Sequence, residues 1–435
     1  MRFAVYHPWV YLTGGAERLL LEVMQRSRHD WVLHTHRFDA DTTFPGFQDL
    51  DVQPLGTSVS VKRSLLPLAH AAASMATASL PETGARGLLV SSEGLGDLVV
   101  RKARVPSAVY CHTPLKILHD PVTRAALRER APGKSKVVDL LGRPFNVVDR
   151  HLWRSYEHVF ANSYETRSRI AQAGLAAADR VEVAYPGVDS DLHQGPPDAW
   201  EREPMFLVAG RIQWQKRIEN AIDALRIALH APESSRMRLV IAGAVDAKSK
   251  PYLDSLRAKA VGLPVEFVVN PDDATLRALY GQATALLFTA PNEDFGIVPI
   301  EAMACGTPVM AVNHGGPRET IVHGETGWLL PDNPYWFALQ MLSVAVSTPV
   351  DLARMREASR KRAELFAWQP TVDRIDDVME QLALGQPVVG SGVGGLRRAP
   401  ELHGLPTNVL PEAWNRRGDL AAGYQGLLQH SDLAS

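Results

Sequence analysis

Residues 285–312 read ALLFTAPNEDFGIVPIEAMACGTPVMAV. ALLFTA (285–290) is an apolar run of strand length, and TPVMAV (307–312) is another. Between them lies IVPIEAMAC (297–305), a short helical stretch. Gly296 opens it, and Gly306 closes it as a C-terminal cap. Pro299 is tolerated because it falls in the first turn. Strand, helix and strand in this order form one crossover of a parallel sheet.

The same alternation runs outward from this stretch. MFLVAGR (205–211), RLVIAG (238–243) and VEFVVN (265–270) read as the preceding strands of the same domain, with helical patterns after most of them. Upstream, FAVYHP (3–8), WVLHTHRF (31–38), GLLVSSE (87–93), SAVYCHTP (107–114), HVFANS (158–163) and VEVAYPG (181–187) form an earlier set. Between the two sets lies VDSDLHQGPPDAWEREP (188–204), polar and rich in proline, which reads as a linker. Helices are expected from about 334 to 384, followed by a segment rich in Gly and Pro. The expected organisation is an α/β chain with an N-terminal domain over 1–190 and a linker over 191–204. A second domain covers 205–365, a C-terminal helix at 366–386 packs back toward the first domain, and 387–435 is a weakly ordered tail.

Composition agrees with this layout. The chain has 435 residues, too many for one hydrophobic core. A net charge of −2 gives no global attraction to nucleic acid. Cys111 and Cys305 sit inside apolar runs, read as small buried hydrophobes, and fit a reducing compartment. Met1-Arg2 leads directly into the first strand without the pattern of a signal peptide. No apolar run reaches the roughly 18–20 residues of a membrane span. The nearest, LLPLAHAAASMATASL (65–80), reads as a buried or surface-lying helix. A cytoplasmic protein is the expectation, with a peripheral inner-membrane location open.

The opening stretch also carries chemistry. NEDFG begins at the C-terminal end of a strand, where open parallel sheets bind ligands. The N-terminus of the next helix offers unpaired N–H groups and a partial positive charge, and Gly296 removes the side chain that would block close approach. Glu293 is placed to project over a ligand there. Glu301 lies about one turn into the helix and suits the two hydroxyls of a ribose. Isolated glutamates usually belong to solvated faces, but Glu301 is the only charge in IVPIEAMAC. A second cluster follows the domain's first strand in VAGRIQWQKRIENAIDAL (208–225). Two or three of Arg211, Lys216 and Arg217 could neutralise a diphosphate at the same sheet edge, and the helix terminus at 296 facing that edge favours this over a solvated basic loop.

The first domain adds weaker signals. Gly14-Gly15 in LTGGAERLLLE (12–22) permits positive φ and close backbone contact. It forms neither a GxGxxG fingerprint nor a Walker loop, which removes the main support for a dehydrogenase or an NTPase. His112 in YCHTP ends another strand at the ligand edge. Residues 115–155 hold nine Lys or Arg against four acids. That excess suits either a solvated face or anionic lipid headgroups.

GGAER, the GR followed by KR, and EDFGIVPIE with its Glu-x7-Glu spacing resemble the retaining glycosyltransferases of family GT4, which have the GT-B fold. The resemblance covers about residues 1–385, and the Glu-x7-Glu segment with ACGTPV is its most specific part. YCHTP and GGAERLLLE are similar to the branch of bacterial O-antigen and eukaryotic lipid-linked mannosyltransferases, many of which use GDP-mannose. The resemblance implies two tandem Rossmann-like domains with parallel sheets facing an interdomain cleft. It implies a nucleotide-sugar donor, no cofactor and no metal, and a glycan or polyprenyl-linked glycan acceptor held by the first domain. By residue, it implies that Arg211 and Lys216 hold the donor diphosphate and that Glu301 binds the ribose. Glu293 and the backbone around Phe295, Gly296 and Ile297 bind the transferred sugar. Gly14 and Gly15 meet the phosphate edge, and His112 sits near the anomeric centre. Catalytic roles fall to His112, Glu293, Arg211 and Lys216. A UDP-sugar donor, a retaining glycoside hydrolase with its carboxylates about 5–5.5 Å apart, and a non-catalytic sugar-nucleotide binder are the competing readings.

Overall fold

The computed structural model describes residues 1–56, 65–189, 204–231 and 236–389. Most of the segment read as a linker, and the tail from 390, lie outside the described residues. The chain divides into two compact units. The first comprises Met1–Gly187 and the segment from Phe366, and the second runs from Val188 to Leu365.

The first unit is built on seven strands: β1 (Arg2–Tyr6), β2 (Asp30–Thr35), β3 (Val52–Pro54), β4 (Leu88–Ser92), β5 (Ser107–Cys111), β6 (His158–Ala161) and β7 (Val181–Val183). Their order across the sheet is β3-β2-β1-β4-β5-β6-β7, and every pairing is parallel. The strands are mainly apolar, as a sheet covered on both faces requires; Phe3, Val5, Val32, Leu88, Val90, Val109 and Phe160 are almost fully buried. Each such side chain contributes about 1.5–3 kcal/mol by leaving water. The helix Trp368–Ala383 belongs to this unit although it ends the described chain. Arg374 grips Glu182 with two bonds of 2.7 and 2.8 Å, and Ser27 donates to Asp376 at 2.6 Å. A Cβ on Gly187 would stand 2.4 Å from the backbone nitrogen of Trp368, so only glycine lets this helix approach.

The second unit holds β8 (Met205–Ala209), β9 (Arg238–Gly243), β10 (Val265–Val269), β11 (Ala285–Phe288), β12 (Val309–Val312) and β13 (Gly327–Leu330), ordered β10-β9-β8-β11-β12-β13 and again all parallel. Its core is formed by Phe206, Leu239, Ile241 and Leu287 against Ile222 and Leu225 of the helix Glu219–Ala228 and Phe337, Ala338 and Met341 of the helix Pro334–Ala345. No single helix among the described residues is long and apolar enough to cross a membrane.

Two strands carry no clear sequence signal. β3 is three residues long and ends in proline, which only an edge strand accommodates. β13 begins at Gly327, where a Cβ would meet the backbone oxygen of Val309 at 2.1 Å. Both lie at sheet edges, where short strands are the rule. The consequence for function is the order itself. Each sheet has the doubly wound order 3-2-1-4-5-6, with a seventh strand added at the edge of the first, and the order reverses between the first and fourth strands. That reversal opens a crevice at the strands' C-terminal ends. In the second unit the two strands flanking it are β8 and β11.

Candidate functional site

The loop after β8 and the loop after β11 supply the residues singled out above. Gly210 follows β8 with φ of 115°, a left-handed conformation open to glycine. Gly243 ends β9 beneath it, where a Cβ would come within 1.7 Å of the Gly210 carbonyl oxygen. The chain then turns through a single 3-10 turn, Trp214–Lys216. Thr289, just past β11, donates to the Lys216 carbonyl at 2.9 Å and fixes this turn against the neighbouring strand.

Lys216 and Glu293 meet directly. The Lys216 ammonium donates to Glu293 Oε2 at 2.5 Å and stands 5.5 Å from the centre of the Phe288 ring. Both side chains stay about a quarter exposed, so a ligand can reach them. Arg211 is half-buried and has no ion partner among the described residues. Arg217 departs from the expected cation cluster. It adopts φ of 49° and turns its guanidinium to Asp332 at 2.5 Å, which leaves Arg211 and Lys216 of the expected cluster.

The helix Ile297–Ala304 starts at Gly296, which has φ of 85° and no capping side chain. Its first N–H groups therefore keep the hydrogen-bonding capacity that suits an anion. Phe295 is buried beneath, while Ile297 is half-buried at the helix start. At the other end Gly306 donates to the Met303 carbonyl and Thr307 to the Ala302 carbonyl, both at 2.8 Å, closing the helix in a Schellman motif. Glu301 is half-buried and accepts a 2.9 Å hydrogen bond from the Tyr280 hydroxyl, which holds its carboxylate in place. Tyr280 is buried, and its hydroxyl is held protonated by burial and then by the Glu301 charge.

Sequence reasoning missed Tyr280 and the pair Gly315-Gly316. A Cβ on Gly315 would stand 2.2 Å from the Glu293 carbonyl oxygen, and one on Gly316 would stand 2.2 Å from that of Phe295. Gly316 also donates to the Glu293 carbonyl at 3.0 Å. The loop after β12 thus braces the backbone that presents Glu293. The available signal was HGGP (314–317), a glycine pair at a strand's C-terminal end.

Gly14, Gly15 and His112 belong to the first unit and lie at the C-terminal ends of its own strands. The glycines do not use positive φ as expected. Gly14 is extended at φ −108° and serves as the N-cap of the helix Gly15–Arg26. A Cβ on Gly15 would meet nothing within 4 Å, whereas one on Gly14 would stand 2.5 Å from Glu17 Oε2. His112 directly follows β5 and is 8% exposed. Its Nε2 bonds the Ser91 hydroxyl at 2.9 Å, and its ring stands edge-on to His7 at 6.4 Å. Burial, opposed by Glu93 and helped by His7, brings its pKa down to about 4. The ring is therefore neutral above about pH 5 and offers a neutral hydrogen bond, with no positive charge. An NMR titration should find the His112 midpoint about 4; a midpoint near the ordinary 6.5 would show the ring to be solvated.

Two Rossmann-like units in tandem, the second with cations and a bare helix N-terminus at its switch point, define the GT-B architecture of nucleotide-sugar glycosyltransferases. Residues 191–362 match the family model described as glycosyl transferases group 1. The second unit matches this GT4-type family, and the chain is a glycosyltransferase with the GT-B fold. It is 27% identical over 431 residues to the alpha-1,3/1,6-mannosyltransferase alg-2 of Neurospora crassa, spanning 86% of this chain and 89% of that one. It is 24% identical over 439 residues to ALG2 of Rhizomucor pusillus, another alpha-1,3/1,6-mannosyltransferase, spanning 89% and 93%. Among solved structures, Anabaena HepE in complex with UDP and glucose superposes with a TM-score of 0.66 at 21% identity, covering 87% of this chain and 99% of that one. Sucrose-phosphate synthase from Thermosynechococcus elongatus gives 0.66 at 18% identity, covering 89% and 100%. These two likenesses speak for the fold.

Proposed function

We propose that the chain transfers mannose from GDP-mannose to a glycan acceptor carried on a polyprenyl lipid, with retention of anomeric configuration. The observation that carries the reading is the Lys216–Glu293 pair at the β8/β11 switch point, beside the open N-terminus of the helix Ile297–Ala304. The two mannosyltransferase relatives that match over most of their length support the choice of sugar and of a glycan acceptor.

In this reading Arg211 and Lys216 hold the donor diphosphate. Glu301, oriented by Tyr280, takes the ribose hydroxyls. Glu293 and the backbone from Phe295 to Ile297 hold the hexose. The bond between the anomeric carbon and the diphosphate oxygen breaks while an acceptor hydroxyl bonds to the same face of that carbon. The acceptor proton leaves with the diphosphate. Charge builds on the departing oxygens, and the Lys216 ammonium, the Arg211 guanidinium and the helix N-terminus meet it without reorganisation. The reading requires neither metal nor cofactor, since these groups supply the counter-charge. The first unit handles the acceptor, and its neutral His112 donates or accepts a single hydrogen bond there. The enzyme works from the cytoplasm at the inner face of a membrane, with the basic segment 115–155 in peripheral contact with anionic lipid.

The test is thermal stability in the presence of GDP, UDP or ADP in turn. A ligand at 100 times its Kd stabilises by about 2.7 kcal/mol. The expected result is a rise in Tm with GDP alone. A rise with UDP alone would replace GDP-mannose by a UDP-sugar on the same site. No rise with any of them would overturn the donor site.

A further inference from the structure

The first unit has a switch point of its own, between β1 and β4. Three side chains stand at the strand ends there. His7 directly follows β1, Glu93 directly follows β4, and His112 directly follows β5. β4 runs between the other two strands, and its Ser91 ties both histidines together. His7 Nδ1 lies 3.0 Å from the Ser91 carbonyl oxygen, and His112 Nε2 lies 2.9 Å from the Ser91 hydroxyl.

These bonds fix which nitrogen of each ring carries the proton. A carbonyl oxygen only accepts, so His7 donates from Nδ1 and its Nε2 is a bare acceptor. Ser91 is fully buried, and His112 is the partner of its hydroxyl. A buried hydroxyl proton left unpaired costs about 1–3 kcal/mol, so Ser91 donates and His112 Nε2 accepts. His112 then carries its proton on Nδ1 and offers a donor. Burial holds both rings neutral against the pull of the Glu93 charge. The His7 ring is only 1% exposed and the His112 ring 8%. His7 Nε2 and His112 Nδ1 nevertheless have no partner among the described residues, and neither atom is sealed from solvent.

Glu93 is exposed beside them on a braced loop. Gly94 turns at φ of 111° and donates to Ser92 Oγ at 3.0 Å, and Ser92 donates to the buried Asp97 at 2.7 Å. A Cβ on Gly94 would stand 2.8 Å from the Leu115 Cα, so the loop after β4 packs directly on the loop after β5. The result is a neutral acceptor, a neutral donor and a carboxylate. The two rings stand 6.4 Å apart and nearly perpendicular, close enough for one sugar residue to touch both. A hydroxyl donates and accepts, and so satisfies both kinds of nitrogen. A phosphate dianion brings His7 no proton and meets the Glu93 charge with its own.

We propose that His7, Glu93 and His112 form the subsite for the hydroxyls of a neutral, unphosphorylated sugar residue of the acceptor. His7 Nε2 accepts and His112 Nδ1–H donates. Ser91 is the positioning residue, its carbonyl setting His7 and its hydroxyl setting His112. The proposal rests on the reading of the first unit as the acceptor side and names the chemical class that side takes.

The experiment is a titration of the full chain, carrying nitrogen-15-labelled histidine, with methyl α-D-mannoside and with mannose 6-phosphate, read at the imidazole nitrogens by NMR. His7→Asn and His112→Asn assign the two rings. Asparagine at 7 keeps a donor for the Ser91 carbonyl and removes Nε2. The free protein is expected to show both rings neutral and protonated on Nδ1. The mannoside should shift both. His7→Asn should weaken its binding, read at His112, by about fivefold, the size of one neutral hydrogen bond. The phosphorylated sugar should bind about tenfold more weakly than the mannoside, and Glu93→Gln, a change at an exposed position, should narrow that gap. Ser91→Ala should move His112 toward the Nε2–H tautomer, which a serine that only fills space would not do. Absence of the GDP-induced Tm rise would strike the donor reading and leave these ring signals to be judged by themselves. Rings that do not respond to the mannoside, or that bind the phosphorylated sugar more tightly, would overturn this proposal. So would a wild-type His112 protonated on Nε2.

Discussion

Lys216→Ala should lower kcat by about two to three orders of magnitude, or about 2.7–4 kcal/mol of transition-state stabilisation. The lysine is a cation at the sheet's switch point, aimed by the Thr289 bond to its own carbonyl and by Glu293 at its tip. The charge it would meet is greatest on the departing diphosphate, so its loss falls on turnover more than on KM. Stability should barely move. An ion pair this exposed contributes about 0–1 kcal/mol, and Tm reports that separately. Lys216→Arg should recover only part of the rate, because a planar fork does not replace a compact ammonium at the same point. A double-mutant cycle with Glu293→Ala measures the coupling of the pair. A kcat for Lys216→Ala equal to wild type would remove the lysine from the mechanism.

Glu301→Ala should weaken nucleotide binding by about 10- to 100-fold, in line with the roughly 1.5–3 kcal/mol of a hydrogen bond to a charged group. The carboxylate stands one turn inside a helix whose other residues are apolar, and it accepts a hydrogen bond from Tyr280. Alanine also leaves the buried Tyr280 hydroxyl without that acceptor, which costs stability by about 1–3 kcal/mol. Two further variants separate the effects. Glu301→Gln keeps an acceptor for Tyr280 and removes the charge. Tyr280→Phe keeps the charge and removes the group that orients it. If Glu301 holds the ribose, Tyr280→Phe weakens binding less than Glu301→Ala does, and calorimetric titration with GDP measures both. Binding by Glu301→Ala as tight as wild type would refute the assignment.

The amino-acid sequence by itself determined the alternation of strands and helices, since a sheet covered on both faces demands apolar runs of strand length separated by helical periods. It also singled out the loops to which the proposed chemistry is assigned. Glu293, Gly296 and Glu301 lie on one strand–loop–helix unit, and Gly306 ends that unit by local backbone preference. Local sequence sufficed there because the interactions span only a few residues.

What lay beyond it was every partnership between distant segments. Lys216 and Glu293 are 77 residues apart and meet because β8 and β11 are neighbours across the sheet's reversal. Arg217 reads as a third diphosphate cation, yet Asp332 claims it through a left-handed turn that no local pattern announced. Gly315 and Gly316 look like loop glycines, and only the folded backbone shows that a Cβ on either would strike the carbonyl it braces. The helix Pro132–Trp153 makes the limit plainest. It carries apolar residues on two sides, and periodicity cannot say which side the rest of the protein covers. Val138, Leu152 and Trp153 are buried by neighbouring helices, and Leu140, Leu141, Val147 and Val148 are left outside. Burial is a property of what packs against a residue, and that is decided by tertiary structure.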